Sequence, residues 1–273
     1  MKVASVAGVE LSYVEKGSGT PVLLVHGSLN DYRSWQFQMD AFAARFHAVA
    51  YSRRNHFPNK WSDYPADYTV KVERDDLVGL IHALGIKAPV HLVGSSYGAY
   101  IAALVGRDYP KVVRSAVLGE PPILSLLAKD SAGRQVYSTF ERKFAKMVLT
   151  PLRNGDYEEA ARGFIDSIMG DRSFDRLPPE TRNMMLQNSR SLAAELPTPE
   201  RDPFTTEDAR RISAPTLLVK GQRSPPMFQT ITSRLAQWMP NVGVCTIRNS
   251  SHTPYSTNPA LYNKIVLDFL LAH

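Results

Sequence analysis

The sequence predicts an α/β fold, a mostly parallel central sheet flanked by helices and interrupted by one long helical segment. Three observations carry this expectation. Short apolar strands alternate with helical stretches before residue 123 and again after residue 211. The run Pro21-Val22-Leu23-Leu24-Val25 is apolar throughout, as in a strand buried on both faces of a parallel sheet. Between Ile123 and Arg211 the strand pattern stops and prolines punctuate a helical character.

In chain order, residues 9–15 alternate apolar and polar and end at Lys16-Gly17-Ser18-Gly19, which predicts a half-exposed strand. Strand 21–25 is followed by a helix over roughly 34–46 and a strand over 47–51. Residues 52–67, rich in prolines, aromatics and arginines, read as an irregular loop. Leu77, Leu80, Ile81 and Leu84 fall at spacings of three and four, so 70–84 reads as a helix that Gly85 ends. A strand at 89–93, a helix to about residue 108 and a strand at 114–118 follow, the last closing on Gly119-Glu120-Pro121-Pro122. The helical segment offers candidate helices at 143–149, 157–169 and 179–192, with prolines at 178, 179, 197, 199 and 203. Strands at 215–219 and 243–247 then alternate with helices near 227–238 and 259–271.

Composition narrows the classes of function. With 44% hydrophobic and 21% charged residues, the 273-residue chain is ordinary for a globular protein. Its single cysteine, Cys245, lies in an apolar run, forms no internal disulfide and reads as a small buried hydrophobe. Neither a signal peptide nor a membrane-length apolar stretch is evident, so a cytoplasmic protein without membrane contact is expected. The net charge of +6 is scattered, and no basic run with interleaved aromatics suggests a nucleic-acid partner. No metal-ligand cluster, phosphate-cradling loop or dinucleotide fingerprint is present, so no cofactor and no metal is expected; a homodimer is compatible with the composition.

The chemistry concentrates at Gly94-Ser95-Ser96-Tyr97-Gly98, set between a predicted strand and a predicted helix. Strand, Gly-x-Ser-x-Gly, helix is the pattern of a nucleophile elbow, a sharp turn that lifts one serine, here Ser96, above the sheet. A serine hydroxyl is a weak nucleophile and needs a base within hydrogen-bond reach. Of seven histidines, only His26 and His252 pair a strand-end location with small polar or glycine neighbours. His252, in Asn249-Ser250-Ser251-His252-Thr253-Pro254, is the candidate base, because open α/β sheets carry their chemistry beyond the carboxyl ends of the strands. His26 reads as a structural residue of the His26-Gly27-Ser28 loop.

These motifs resemble the α/β-hydrolase superfamily, serine branch, over essentially the whole chain. The resemblance implies an α/β-hydrolase core formed by 1–122 and 212–273, with 123–211 as a helical cap inserted after the sixth strand. It also implies an oxyanion hole formed by the backbone N–H groups of Ser28 and Tyr97, each such donor being worth about 3 kcal/mol. The triad acid departs from the commonest pattern. Where many members place aspartate in Gly-x-x-Asp, this chain reads Gly221-Gln222-Arg223-Ser224, and no carboxylate follows before His252. Glu120 is the substitute, since some dehalogenases and lactonases of the superfamily take their acid from that strand end, and Leu118-Gly119-Glu120-Pro121 resembles the lactonase pattern. The alternative is that Glu120 caps the turn or pairs with an arginine.

The loop Tyr51-Ser52-Arg53-Arg54-Asn55-His56-Phe57-Pro58 is unusual: Arg53 and Arg54 either meet a substrate carboxylate or belong to a surface loop. Trp35, Trp61, Tyr97, Tyr100, Phe140, Phe144, Met147, Met169, Met184 and Met185 are candidates for an apolar acyl pocket, although such residues at helical spacing usually pack in a core. The expected activity is cleavage of a small-molecule carboxylic ester or lactone through an acyl-serine. The alternatives are carbon–carbon bond hydrolysis on the same scaffold and a receptor-like member that binds its ligand with little turnover.

Overall fold

In a computed structural model, which describes residues 1–62, 68–196 and 203–273, the chain builds one eight-stranded sheet. The strands are β1 (Lys2–Val6), β2 (Val9–Lys16), β3 (Pro21–Val25), β4 (His47–Tyr51), β5 (Val90–Ser95), β6 (Val113–Gly119), β7 (Thr216–Gly221) and β8 (Val242–Ile247). Their order is β1-β2-β4-β3-β5-β6-β7-β8, with β1 and β2 antiparallel to their neighbours and β3 to β8 mutually parallel. Strand β1 has no counterpart in the sequence expectations. It pairs with β2 through the two-residue turn Ala7-Gly8, both at positive φ (46° and 81°), and alanine in a position that favours Asn, Asp or Gly hides that hairpin.

The apolar run of β3 is divided between the two faces of the sheet, as its period of two requires. Leu23 and Val25 join one core cluster with Leu77, Leu80 and Ile81 of α2 (Val70–Ala83 in the chain), while Val22 and Leu24 join a second with Trp35, Phe42, Tyr262 and Val266. All four β3 side chains are fully buried, each worth about 1.5–3 kcal/mol. The expected helix over 34–46 begins as a 3₁₀ turn, Tyr32–Trp35, and continues as α1 (Gln36–Ala43). Thr69 caps α2, and Gly85, at φ 64°, lets the chain leave it. Helix α3 (Tyr97–Asp108) follows β5 directly.

Between β6 and β7 every described regular element is helical. Helix α4 (Ser131–Phe144), not singled out in the sequence, is capped by Asp130, whose carboxylate accepts the Gly133 N–H at 2.7 Å. Where a helix over 143–149 is expected, α4 instead runs through a wider π turn, Ala145–Leu149, into α5 (Thr150–Arg153). Helix α6 (Tyr157–Met169) follows, and the expected 179–192 helix divides into α7 (Pro179–Gln187), a 3₁₀ turn at Ser189–Ser191 and α8 (Leu192–Glu195). Helix α9 (Thr206–Arg211) closes the segment with a capping box between Thr205 and Asp208. Pro197 and Pro199 lie outside the described residues. The remaining helices are α10 (Pro226–Trp238), α11 (Pro254–Thr257) and α12 (Pro259–Leu271). Among the described residues no helix is long and apolar enough to cross a membrane. Cys245, on the edge strand β8, is half-buried rather than buried as expected.

His91 of β5 is buried, hydrogen-bonded through Nδ1 to Ser115 Oγ at 2.7 Å and set edge-on to Phe46. Burial, with the nearby Arg114 charge, pushes its pKa down to about 4. An unfolded chain takes up that proton below about pH 6.5, so stability is fully present above that pH and is lost as pH falls towards 4. The melting temperature should therefore decline across this window, and the decline should be shallower in His91→Gln, as thermal melts at a series of pH values would read directly.

Candidate active site

Ser96 stands between the last residue of β5 and the first of α3, with φ 53° and ψ −123°. A non-glycine residue in such a sparsely populated region costs about 1–3 kcal/mol and persists only where its surroundings enforce it. Here the Ser96 N–H donates to Gly119 O at 2.7 Å, while Ser96 O accepts from the N–H groups of Ala99 and Tyr100. The tight passage explains the glycines: a Cβ at Gly98 would lie 2.1 Å from Val25 O, and one at Gly94 2.5 Å from Gly98 O. Ser95 is buried, whereas Ser96 is partly exposed and lines a cavity of about 500 Å³. Only Ser96 is presented to a ligand.

Glu120 follows β6 at φ 50°, a left-handed conformation rare for a non-glycine residue. Its buried carboxylate is shared between two partners. Oε1 accepts the Gly221 N–H at the end of β7 (2.9 Å), and Oε2 lies 2.6 Å from His252 Nδ1. A carboxylate only accepts, so the imidazole proton sits on Nδ1 and the Nε2 lone pair is left to act as a base. Phe228 of α10 stacks on the His252 ring with centroids 4.0 Å apart and also lines the cavity with Ser96, which places the ring and Ser96 at one end of the sheet. Gly221 lets the histidine loop settle there, since a Cβ would lie 2.1 Å from Ser251 O. Ser224, where the resemblance leads one to expect aspartate, is buried with its hydroxyl unpartnered among the described residues.

Ser28 lines the same cavity, and Gly27 abuts Ser96 so closely that a Cβ there would be 3.0 Å from Ser96 Cβ. Tyr97 opens α3, where the helix dipole favours a developing negative charge. His26 is not positioned as a base. Its Nδ1 faces Gly27 O at 2.8 Å and its Nε2 accepts the Arg53 N–H at 2.9 Å, which sets the neutral Nδ1–H tautomer. Burial, then the Arg53 charge, holds its pKa well below the ordinary histidine value.

The cavity brings Ser28, Ser96, Tyr97, Tyr100, Phe140 and Phe144 together and adds Phe164, Met227 and Phe228. Trp35 is not among them. It is fully buried in the core cluster on the other sheet face, against Tyr255 at 4.9 Å between ring centroids. Trp61, Met147, Met169, Met184 and Met185 do not line the cavity either.

Arg53 does not line the cavity and is 1% exposed, so its loop is neither a surface loop nor a free anion-binding site. The guanidinium is held by Glu73 of α2 at 2.5 Å and by Glu195 of α8 at 2.5 Å, and lies over the Tyr97 ring at 4.8 Å. Burial opposes its charge, yet Glu73 and Glu195 keep its pKa well above the usual value. Arg54 is likewise engaged, paired with Asp76 through two hydrogen bonds of 2.9 and 2.7 Å. Residues 63–67 of the same loop lie outside the described residues. Glu73, Glu195 and Phe228 carry no local sequence signal; each reaches the site by long-range packing. Among the described residues no group of three or more His, Cys, Asp or Glu is arranged to hold a metal ion.

Comparison with known proteins agrees with this fold. A model of the alpha/beta hydrolase family matches residues 22–265. The chain is 27% identical, over 96% of its own length and 96% of the relative's, to a non-heme chloroperoxidase of Kitasatospora aureofaciens. It is 24% identical, over 96% of its length and 92% of the relative's, to a 2-(acetamidomethylene)succinate hydrolase of Mesorhizobium japonicum. A thermophilic esterase from Thermogutta terrifontis shares the fold at TM-score 0.75 and 22% identity, covering 99% of this chain and 98% of that one.

If Glu120 orients His252, fluorophosphonate labelling of Ser96 should slow at least about 100-fold in Glu120→Ala, because an unoriented histidine loses much of its power as a base. Ser224→Ala, which removes an unpartnered hydroxyl, should leave the labelling rate within a few-fold of the parent. Mass spectrometry of the adduct over time measures both.

Proposed function

The chain belongs to the alpha/beta hydrolase family, and from that premise we propose that it is a serine hydrolase that cleaves a carboxylic ester or lactone through an acyl-serine. Ser96 Oγ attacks the carbonyl carbon while His252 Nε2 takes its proton. The N–H groups of Ser28 and Tyr97 hold the oxyanion of the tetrahedral intermediate. Collapse breaks the bond to the leaving oxygen, which receives the proton from His252. Water, activated by the same imidazole, then attacks the acyl-serine and releases the acid and free Ser96. Glu120 holds the ring in the required tautomer and steadies the imidazolium, so its charge matters most when His252 carries the proton.

The observation that carries this reading is the 2.6 Å contact between Glu120 Oε2 and His252 Nδ1. It supplies the orienting acid that the Gly221-Gln222-Arg223-Ser224 stretch lacks, which supports turnover over a receptor that has lost its catalytic apparatus. The aromatic and aliphatic lining of the cavity suits an apolar acyl or alkyl group rather than a short polar one.

With p-nitrophenyl butyrate the protein should release an initial burst of nitrophenolate followed by sustained turnover, and it should also open a medium-chain lactone. Ser96→Ala should lower kcat by at least about 1,000-fold with the fold retained. A burst without sustained product, or turnover indifferent to Ser96→Ala, would overturn the proposal.

A further inference from the structure

The cavity beside Ser96 has an unusual charge arrangement. Among its described lining residues there is no lysine, arginine or histidine, while two glutamates, Glu141 and Glu195, belong to its wall, the Glu195 carboxylate being fully buried behind it. One guanidinium, that of Arg53, lies one layer behind that wall, over the ring of the lining residue Tyr97. It reaches Gly27 O at 3.3 Å and is enclosed by Glu73 and Glu195.

Two carboxylates thus enclose the one guanidinium of this layer, with His56 beside Glu195. Burial, joined by the nearby Glu195 charge, pushes the Glu73 carboxyl up against the pull of Arg53, whereas Arg53 and His56 overcome burial at Glu195 and hold it below the usual carboxylate range. The Glu195 side chain is fully buried; Oε1 meets Arg53 Nη2 at 2.5 Å and His56 Nε2 at 3.3 Å. Its other oxygen, Oε2, has no hydrogen-bond partner among the described residues. Through Oε1, Glu195 offsets the charge of Arg53 behind the wall, where a low dielectric strengthens the pairing.

We propose that Glu195 is a specificity-determining residue that masks Arg53, so that the site takes esters and lactones with uncharged or cationic acyl groups and rejects those bearing a carboxylate. This rests on the serine-hydrolase reading above for its chemistry, though not for its electrostatics. Without Glu195, an anionic acyl group would meet a guanidinium bound to only one carboxylate. With Glu195 in place, that group enters a cavity with no cation and gives up its hydration for no compensating charge.

The test is a set of p-nitrophenyl esters of similar length: butyrate, hemisuccinate and 4-(trimethylammonio)butanoate. The parent protein should favour butyrate over hemisuccinate by at least about 100-fold in kcat/KM and accept the cationic ester within about tenfold of butyrate. Glu195→Gln should shrink the butyrate-to-hemisuccinate ratio at least about tenfold, with the change lying mainly in KM for the anionic ester. A merely structural role would depress all three esters together and leave the ratio unchanged, which would overturn the inference. Comparable parent activity on butyrate and hemisuccinate would also overturn it, whether or not Glu195→Gln folds. Calorimetric binding of the same three esters to Ser96→Ala separates this inference from the hydrolase reading. Discrimination in binding with no turnover by the parent would sink only the hydrolase reading, while equal binding of butyrate and hemisuccinate, or binding of neither, would sink the charge inference.

Discussion

The arrangement at the carboxyl end of the sheet depends on one buried carboxylate with two obligations. Glu120 Oε1 accepts the N–H of Gly221 and Oε2 meets Nδ1 of His252, so a single side chain ties the end of β6 to the end of β7 and to the loop after β8. A buried carboxylate left short of donors is costly. Both contacts are therefore required once Glu120 is fully enclosed, and together they dictate where the imidazole stands and which nitrogen carries its proton. Its left-handed backbone, like that of Ser96, is tolerated because the neighbouring strands enforce it.

A second buried network supports the other half of the site. The Arg53 backbone N–H sets the tautomer of His26, its guanidinium lies on the Tyr97 ring, and its charge is shared by Glu73 from α2 and Glu195 from α8. The Tyr68 hydroxyl donates to Glu73 within the same network. A side chain from the helical segment between β6 and β7 thereby reaches the loop that precedes Ser28. Asn188 makes a parallel connection, donating to Asp31 at 2.8 Å and accepting the Phe57 N–H at 2.7 Å. Such contacts link the segment over the cavity to the loop beside Ser96 through charge and hydrogen bonds rather than through apolar packing alone. Ion pairs of this kind add less to stability than to geometry, since desolvation offsets much of their attraction.

Much of the architecture was legible because it follows from local rules. Alternation in β2, short apolar runs in β3 to β8 and a three-to-four spacing in α2 located these elements, Gly85 marked the end of α2, and the short α11 was not foreseen. The elbow was legible for a steric reason: a serine lifted onto a strained turn needs glycine on both sides, and only glycine fits the 2.1 Å approach to Val25 O. What escaped was weakly coded or non-local. Ala7 concealed the hairpin to β1, and the π turn at Ala145–Leu149 depends on α6 packing against it.

By itself, the sequence determined an α/β sheet with a helical segment between β6 and β7, the serine at the elbow, and a histidine and a glutamate at strand ends. Those features are set by periodicity, steric demand and chain order, all of which are local. Tertiary structure alone decided what the charged and aromatic residues do. Arg53 reads as a free cation in the chain, yet it is enclosed by two glutamates 20 and 142 residues away. Trp35 reads as a pocket residue, yet it faces the opposite side of the sheet. The physical reason is the same in both cases: burial makes a side chain's role depend on which distant groups surround it, and patterning along the chain does not encode those neighbours.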